Sequence, residues 1–228
     1  MNYSNVTVII PTLNEGKNIS DLIKIISSSY GGIKAIVADD GSTDGTKEIV
    51  NKINRSNKNV KLLDRSSENI HGLTASVVDA VKSAETEYLV VIDGDLQHPP
   101  EKIGEIIAKL RAGNQIVIGT RAKVVGKWPL QRKLMSSVAT NLARLRLGRY
   151  VKDPMSGFFG MERALFRNVL AGKEEKFEKR GYKVLFDLLR YCGRSKIANV
   201  YYTFGERKGG ESKIGRKQVI SLIRAVLR

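Results

Sequence analysis

The sequence has few of the residues that build disulfides and soft-metal clusters. Its 228 residues include one cysteine, Cys192, and two histidines. A single cysteine excludes an internal disulfide and a zinc cluster, and it favours a reducing compartment. No apolar run approaches the roughly 20 residues that a membrane-spanning helix needs. The first residues lack the basic and apolar regions of a signal peptide, so we expect none.

Three sequence motifs of nucleotide-binding proteins and hydrolases are also missing. A P-loop needs Gly-Lys followed by Ser or Thr, and none of the three Gly-Lys pairs has it. The dinucleotide fingerprint Gly-x-Gly-x-x-Gly does not follow the first predicted strand, and the serine hydrolase motif Gly-x-Ser-x-Gly does not occur. If the chain binds nucleotide phosphates, it is therefore expected to do so through a metal held by carboxylates.

The first half of the sequence has no excess of basic residues, whereas the second half has a large one. Residues 1–120 hold 13 Lys/Arg and 15 Asp/Glu, a net charge of −2, whereas residues 121–228 hold 26 and 8, a net charge of +18. A basic half beside a near-neutral half predicts that one part binds a phosphate, a polyanion or an anionic membrane surface.

Short apolar β-rich runs alternate with helix-like segments in the first half. The predicted strands are residues 6–10, 33–38, 60–63, 87–92 and 115–119, and the predicted helices are about 18–29, 46–54, 73–84 and 100–110. This alternation indicates an α/β protein with a parallel sheet covered by helices on both faces. A further run, residues 200–204, is predicted as a strand. Ligands of such sheets bind beyond the carboxyl ends of the strands.

Carboxylates follow three of these strands. Glu15 comes after the first, Asp39 and Asp40 after the second, and Asp93 and Asp95 after the fourth. A solvated turn is the simpler reading of Asp93-Gly94-Asp95, since Asp and Gly are turn residues. Convergence of all three groups on one edge favours a cation instead, and oxygen ligands favour Mg²⁺ or Mn²⁺.

The two histidines and the neighbouring prolines have structural readings. His98 is expected to pack or to support a neighbour rather than to bind metal, and His71 is expected at a helix cap or in solvent. Pro99 and Pro100 are expected to set the start of the following helix.

Six motifs occur in the order typical of one enzyme family. They are VIIPTLNE, VADDGSTDGT, DGDLQHPP, GTR, DPMSGFF and GERKGGESK. In this the chain resembles the family 2 inverting glycosyltransferases with the GT-A fold, and most closely the branch of dolichol-phosphate mannose synthases and related polyprenyl-phosphate sugar transferases. The resemblance covers Val6 to about Lys213. DLQHPP followed by DPMSGFF is the part most specific to the polyprenyl-phosphate branch.

The resemblance implies a role for each matching position. Asp95 and Gln97 would bind the metal, Asp40 would hold the base or ribose, and Asp93 would contact the nucleotide sugar. The implied catalytic residues are Asp93, Asp95, Arg121 and Arg207. The implied donor-binding residues are Pro11, Leu13, Glu15, Ala38, Asp40, Asp93, Gly94, Arg121, Arg207 and Lys213. Leu13 stands where this branch often has Tyr, and Gly94 where relatives commonly have Ala.

The acceptor phosphate has two possible registers in this sequence. Arg132 and Ser136 match the pair expected to hold it, and Lys133 and Ser137 fit the same spacing shifted by one. The implied reaction moves a hexose, mannose from GDP-mannose, to a polyprenyl (dolichyl) phosphate with Mg²⁺ or Mn²⁺ as cofactor, as a step of protein glycosylation. The alternative within this chemistry is a polyprenyl-phosphate glucosyltransferase using UDP-glucose. A basic RNA-binding protein is the alternative from another class, and the lack of aromatic residues among the basic ones disfavours it.

Two basic amphipathic segments predict contact with an anionic membrane surface. Leu130, Leu134, Val138 and Leu142 recur at four-residue spacing, and Val219, Leu222, Ile223 and Val226 share one helical face. Burial of the first stripe in the core is the alternative, since surface helices of globular proteins show the same period. We expect one catalytic domain over residues 1–213, with a donor half (1–120) and an acceptor half (121–213), and an interfacial helix over 214–228. The expected location is the cytoplasmic face of a membrane, reached directly or through a membrane-anchoring partner subunit, with no nucleic acid bound.

Overall fold

The computed structural model describes residues 1–125, 140–147 and 151–205. The strands in these residues are β1 (Val6–Thr12), β2 (Lys34–Asp39), β3 (Val60–Asp64), β4 (Tyr88–Val91), β5 (Ile116–Val124), β6 (Phe159–Glu162) and β7 (Ile197–Phe204). The helices are α1 (Ile19–Ser29), α2 (Thr46–Ser56), α3 (Leu73–Ser83), α4 (Ile103–Arg111), α5 (residues 140–147), α6 (Arg163–Lys173) and α7 (Val184–Tyr191). Short 3₁₀ turns cover Pro100–Lys102 and Glu174–Lys176.

The strands of the described residues form one mostly parallel sheet in the order β3-β2-β1-β4-β6-β5-β7. β1 pairs in parallel with β2 and β4, and β2 with β3. β6 runs antiparallel to both β4 and β5, and β7 pairs in parallel with β5. The carboxyl ends of β1, β2 and β4 therefore meet at one edge, as the alternating pattern predicted.

Helices cover both faces of the sheet because its central strands are apolar on both sides. Val8 and Ile10 of β1 pack into the layer formed with α1, α2 and α4. Ile9 between them packs into the opposite layer with α3, α6 and α7. Adjacent residues of a strand point to opposite faces, so a continuous apolar run supplies both cores.

Helix α1 illustrates how each helix attaches to this sheet. Ile19, Leu22, Ile23 and Ile26 are fully or almost fully buried, and their spacing places them on one face of the helix. Pro100 begins the 3₁₀ turn before α4, in keeping with the role expected for the prolines after the Asp93-Gly94-Asp95 loop.

The segment boundaries differ from the predicted ones mainly in the second half of the sheet. The fifth strand was predicted as residues 115–119, but it extends to Val124 because β7 pairs with it along its length, from Ile197 opposite Ile116 to Phe204 opposite Val124. The antiparallel strand β6 was not predicted. The division of the domain into donor and acceptor halves stays a prediction.

Candidate active site

Asp39, the last residue of β2, is fully buried and fastens the loop after it. Its carboxylate accepts hydrogen bonds from the Thr12 hydroxyl (3.0 Å) and from the backbone N–H groups of Gly41 (3.2 Å) and Ser42 (2.8 Å). The Ser42 hydroxyl donates to it as well. A buried carboxylate with this many donors is a structural anchor, and it joins the ends of β1 and β2 at the sheet edge.

The chain turns sharply after β1 at Asn14, which has a φ of 55°. Asn tolerates this left-handed conformation better than most residues. Its N–H donates to the Ser42 hydroxyl (2.7 Å), and its side-chain oxygen accepts from the Thr43 N–H (2.8 Å). The turn leaves Leu13 39% exposed and buries Glu15. Leu13 is therefore accessible to a ligand, whereas the Glu15 carboxylate accepts a hydrogen bond from the Asn18 side chain (3.2 Å).

Pro11 and Ala38 lie opposite each other in the register of β1 and β2, and both are buried. These two predicted donor-binding residues therefore do not present exposed side chains to a ligand. Their assignment to donor binding stays a prediction.

Asp40 belongs to a charged cluster that the sequence did not reveal. The buried guanidinium of Arg65 hydrogen bonds to Asp40 and donates to Asp79 (2.8 Å). Asp40 also accepts from the Gly72 N–H (2.7 Å) and contacts His71 Nδ1 (3.1 Å). His71, expected at a cap or in solvent, thus lies beside a predicted donor-binding residue. The cluster fixes the Asp40 carboxylate at the start of α3.

Asp93, Gly94 and Asp95 follow Ile92, the residue after β4, and they lie against the loop that follows β1. A Cβ placed on Gly94 would approach Glu15 Cγ at 3.2 Å. The Asp95 carboxylate is buried and accepts from the Gln97 N–H (3.1 Å). Between them Leu96 has a φ of 61°, a conformation that bulky residues rarely adopt. Backbone strain of this kind often marks functional loops.

Gln97 links this loop to the end of β7. Its side-chain Nε2 donates to the Gly205 carbonyl (3.1 Å), and the Gly205 N–H donates to the Gln97 carbonyl (2.9 Å). With the amide nitrogen engaged in this way, the amide oxygen is the Gln97 atom suited to a metal.

His98 is buried, with 3% of its surface exposed, and packs among the rings of Phe158, Tyr202 and Phe204. Its Nε2 lies 3.0 Å from Asp93 Oδ2, and its Nδ1 lies 2.8 Å from the Tyr202 hydroxyl. This is the packing and supporting position that the sequence suggested for His98.

Arg121 extends from β5 and forms two hydrogen bonds with Asp153, from Nε (2.8 Å) and from Nη2 (3.0 Å). Burial would lower the pKa of Arg121, but the Asp153 carboxylate more than offsets burial, and the pKa lies above its usual value. The nearby Asp93 carboxylate raises it further. Arg121 is therefore a fixed cation beside Asp93, and Asp153, which the sequence reasoning missed, holds it in place.

The DPMSGFF motif contacts the site through Ser156 and Gly157. The Ser156 hydroxyl donates to the Gly119 carbonyl (2.7 Å). A Cβ placed on Gly157 would meet Asp93 Oδ2 at 2.5 Å, so only a glycine leaves room for the carboxylate. The occurrence of the motif was the signal available in the sequence; its contacts with Arg121 and Asp93 were not.

The oxygen atoms of Asp95 and Gln97 suit a hard divalent cation that also binds ligands from outside the protein. Among the residues that the structure describes, no three His, Cys, Asp or Glu side chains gather as a metal-binding group. Mg²⁺ is commonly held by one or two carboxylates together with waters and substrate phosphates. Asp95 and Gln97 suit such a site, whereas a site formed entirely by protein side chains would need further ligands.

Several predicted residues fall outside the described ranges. These are Arg132 and Ser136 with their alternatives Lys133 and Ser137, Arg207, Lys213 and the segment 214–228. Their roles stay predictions. In the part of the chain that is described, no helix is both long and apolar enough to span a bilayer.

Comparison with known proteins gives one family and a consistent set of relatives. The family model described as Glycosyl transferase family 2 matches residues 7–170. The chain is 38% identical over 230 residues to a dolichol-phosphate mannosyltransferase of Pyrococcus furiosus, covering 98% of this chain and 63% of that protein. It is 32% identical over 235 residues to a dolichol-phosphate mannosyltransferase of Mycosarcoma maydis, covering 97% of this chain and 77% of that protein. The chain thus spans less than two thirds of the Pyrococcus relative.

Among solved structures, a glucosyl-3-phosphoglycerate synthase of Mycobacterium tuberculosis resembles the fold. Its complex with Mn²⁺, UDP-glucose and glycerol 3-phosphate has a TM-score of 0.64 and 21% identity, covering 97% of this chain and 77% of that chain. The prediction of a GT-A type α/β fold is confirmed by this likeness.

Proposed function

The chain belongs to glycosyl transferase family 2, and we propose that it transfers mannose from GDP-mannose to a polyprenyl (dolichyl) phosphate with inversion at the sugar carbon. The observation that carries the proposal is the match, over nearly the whole chain, to two proteins named dolichol-phosphate mannosyltransferase. The site geometry supports it, since Asp93, Asp95 and Arg121 all belong to loops or strands around one sheet edge.

The acceptor explains why the site can dispense with a catalytic base. An alcohol nucleophile normally needs a carboxylate to take its proton. A phosphate monoester is largely ionised near neutral pH, because its second pKa is about 6. The acceptor oxygen can therefore attack C1 directly, and the protein has to hold two anions next to each other.

The described residues suit this demand. Arg121, held by Asp153, would face the donor diphosphate and stabilise the charge that grows on it as the bond to C1 breaks. Asp93 would contact the sugar, and Asp40, fixed by Arg65 and Gly72, the base or ribose. Arg207 and Lys213 would add positive charge at the donor, and Arg132 with Ser136 would hold the acceptor phosphate.

We further propose Mg²⁺ or Mn²⁺ as cofactor, held by Asp95 and Gln97. Support comes from the donor chemistry of these two side chains and from the related synthase solved with Mn²⁺ and UDP-glucose. When bound, the cation would offset the negative charge of the donor diphosphate.

The proposed location is the cytoplasmic face of a membrane, with attachment made directly or through a partner subunit. Leu142 and Leu145 of α5 are 46% and 80% exposed. Leu142 belongs to the first predicted amphipathic stripe, and its exposure favours a surface role for this residue over burial in the core.

A donor and acceptor panel tests the proposed reaction. The purified chain is incubated with GDP-mannose or UDP-glucose, and with dolichyl phosphate or unphosphorylated dolichol, in the presence of Mg²⁺ or Mn²⁺. We expect a mannosylated lipid phosphate from GDP-mannose and dolichyl phosphate, and no product from dolichol. Product from UDP-glucose alone would replace mannose by glucose, and inactivity with every lipid phosphate would refute the proposal.

The metal assignment is tested by Asp95→Asn. The substitution keeps the size of the side chain but removes the charge that a hard cation needs. We expect metal-dependent donor turnover to fall by about 100-fold or more, and the thermal unfolding midpoint to stay close to that of the unchanged protein. The same activity in the variant, or full activity after chelation with EDTA, would show the assignment to be wrong.

A further inference from the structure

His98 uses both ring nitrogens in a buried position, which a packing role alone would not require. Nε2 faces Asp93 Oδ2 at 3.0 Å and Nδ1 faces the Tyr202 hydroxyl at 2.8 Å. The rings of Phe158, Tyr202 and Phe204 lie around the imidazole, with centroid distances of 5.5, 5.5 and 5.1 Å. These contacts leave the ring little freedom to turn, so its hydrogen bonds have a fixed direction.

The partners decide which nitrogen carries the proton. An ionised carboxylate accepts hydrogen bonds only, so Nε2 must be the donor to Asp93. In a neutral imidazole Nδ1 is then an acceptor, and the Tyr202 hydroxyl must donate to it. Burial raises the pKa of Tyr202, which keeps this hydroxyl protonated. The two hydrogen bonds therefore run in one direction: Tyr202 donates to His98, and His98 donates to Asp93.

Asp93 is held from a second side by the backbone. The clash of a Cβ at Gly157 with Oδ2, at 2.5 Å, means that the carboxylate packs directly on the glycine. Packing restricts where the carboxylate lies, and a directional donor fixes how it is turned. His98 Nε2 lies at hydrogen-bond distance from Oδ2, and the nearby charge of Arg121 also acts on Asp93.

We propose that His98 is a positioning residue that orients the Asp93 carboxylate toward the sugar donor, and that the Tyr202 hydroxyl supports the required His98 tautomer by donating to Nδ1. The part that concerns the donor rests on the proposed function. Orientation of a contacting group affects the rate strongly, because a misplacement of about 1 Å can cost roughly 100-fold. His98 itself takes no part in bond making and is expected to act through Asp93.

Two amide substitutions separate the two hydrogen bonds of His98. In His98→Gln the amide nitrogen can lie near the place of Nε2 and can still donate to Asp93. In His98→Asn the shorter side chain can reach only the place of Nδ1, so the bond to Asp93 is lost while the contact with Tyr202 remains. We expect His98→Asn to lower kcat about 10- to 100-fold with little change in donor KM, and His98→Gln to keep kcat within about 5-fold. Equal losses in both variants, or the reverse order, would overturn the proposal.

The tautomer can be measured by NMR without any substrate. The chain has only two histidines, so the ring signals are readily assigned. In protein labelled with ¹⁵N in the histidine rings, the signals that disappear in His98→Gln belong to His98. At neutral pH we expect a protonated Nε2 and an unprotonated Nδ1. In Tyr202→Phe we expect Nε2 to stay protonated, because Asp93 still accepts from it, and the chemical shift of Nδ1 to change, because Nδ1 loses its donor. A protonated Nδ1 in the unchanged protein would refute the assignment, whether or not the chain proves to transfer mannose.

Discussion

At the scale of single residues, the contact between Gly157 and Asp93 makes a specific prediction. Gly157→Ala would place a methyl group 2.5 Å from Asp93 Oδ2, so the carboxylate must move. Because Asp93 is the proposed contact to the sugar, we expect kcat with GDP-mannose to fall about 10- to 100-fold. Steady-state kinetics measure this loss, and circular dichroism checks that the fold is retained.

A second glycine supplies the matched control. Gly172 lies in α6. Apart from its chain neighbours and the nearby backbone of α6 itself, no described atom comes within 4 Å of a Cβ placed there. Gly172→Ala should leave kcat unchanged and stabilise the protein by about 0.5–1 kcal/mol, since alanine favours the helix. If both alanines left kcat unchanged, the position of the Asp93 carboxylate would not matter for the rate.

The residues of the site divide into those visible in the sequence and those that only the fold reveals. Asp93 and Asp95 follow an apolar run, and a strand end in an α/β sheet is where ligands bind, so their location followed from the pattern. Arg65, Asp153 and Tyr202 contact Asp40, Arg121 and His98 from positions 25, 32 and 104 residues away. No periodicity encodes such pairings, and a motif indicates only that a segment matters.

At the scale of secondary-structure elements, Asp44 connects the loop after β1 to the start of α2. One carboxylate oxygen accepts from the Gly16 N–H (2.8 Å), and the other from the Thr46 N–H (3.1 Å) and the Thr46 hydroxyl. Burial alone would raise the pKa of Asp44, but the hydrogen bonds from Thr46 and Gly16 together outweigh burial and hold the pKa below its usual value. A negative charge at this end of a helix is also favoured by the helix dipole.

This depressed pKa predicts a pH-dependent stability. A carboxylate with a lowered folded-state pKa contributes fully above its unfolded pKa of about 3.9 and loses the contribution as the pH falls through the folded value. Because the side chain is exposed, we expect Asp44→Asn to be less stable by only about 0.5–1 kcal/mol at about pH 7. Urea unfolding at about pH 7 and at about pH 3 should show the difference shrinking with acidity. A difference independent of pH would contradict the role of the charge.

The elements themselves were predicted best where the sequence is periodic. The strands and helices up to α4 follow from alternating apolar runs, and their boundaries differ from the prediction by a few residues. β6 escaped prediction because it is four residues long and its neighbours in the sheet, β4 and β5, come from earlier in the chain. Its antiparallel direction depends on tertiary pairing, which local patterns do not specify.

At the scale of the whole molecule, charge is divided between the two halves of the sequence, of which the first is proposed to bind the donor. The carboxylates proposed to contact the donor or the metal come from residues 1–120, with a net charge of −2, whereas residues 121–228 carry +18. The described part of the basic half also exposes Leu142 and Leu145 on α5, close in sequence to Arg144 and Arg146. Exposed leucines among basic residues are typical of surfaces that contact anionic lipids.

This charge division predicts that transfer to a membrane-bound acceptor depends on salt and on the lipid. With dolichyl phosphate in vesicles containing anionic lipid, raising the salt from about 0.05 to about 0.5 M should slow mannosyl transfer several-fold, since screening weakens attraction to the surface. With a short polyprenyl phosphate in neutral detergent, the same change should have a smaller effect. Leu145→Glu should weaken sedimentation with anionic vesicles, whereas Ser28→Glu, which adds the same charge to the exposed part of α1, should not. Equal salt dependence in vesicles and detergent, with equal sedimentation of both variants, would place the basic half's function at the acceptor phosphate and not at the membrane surface.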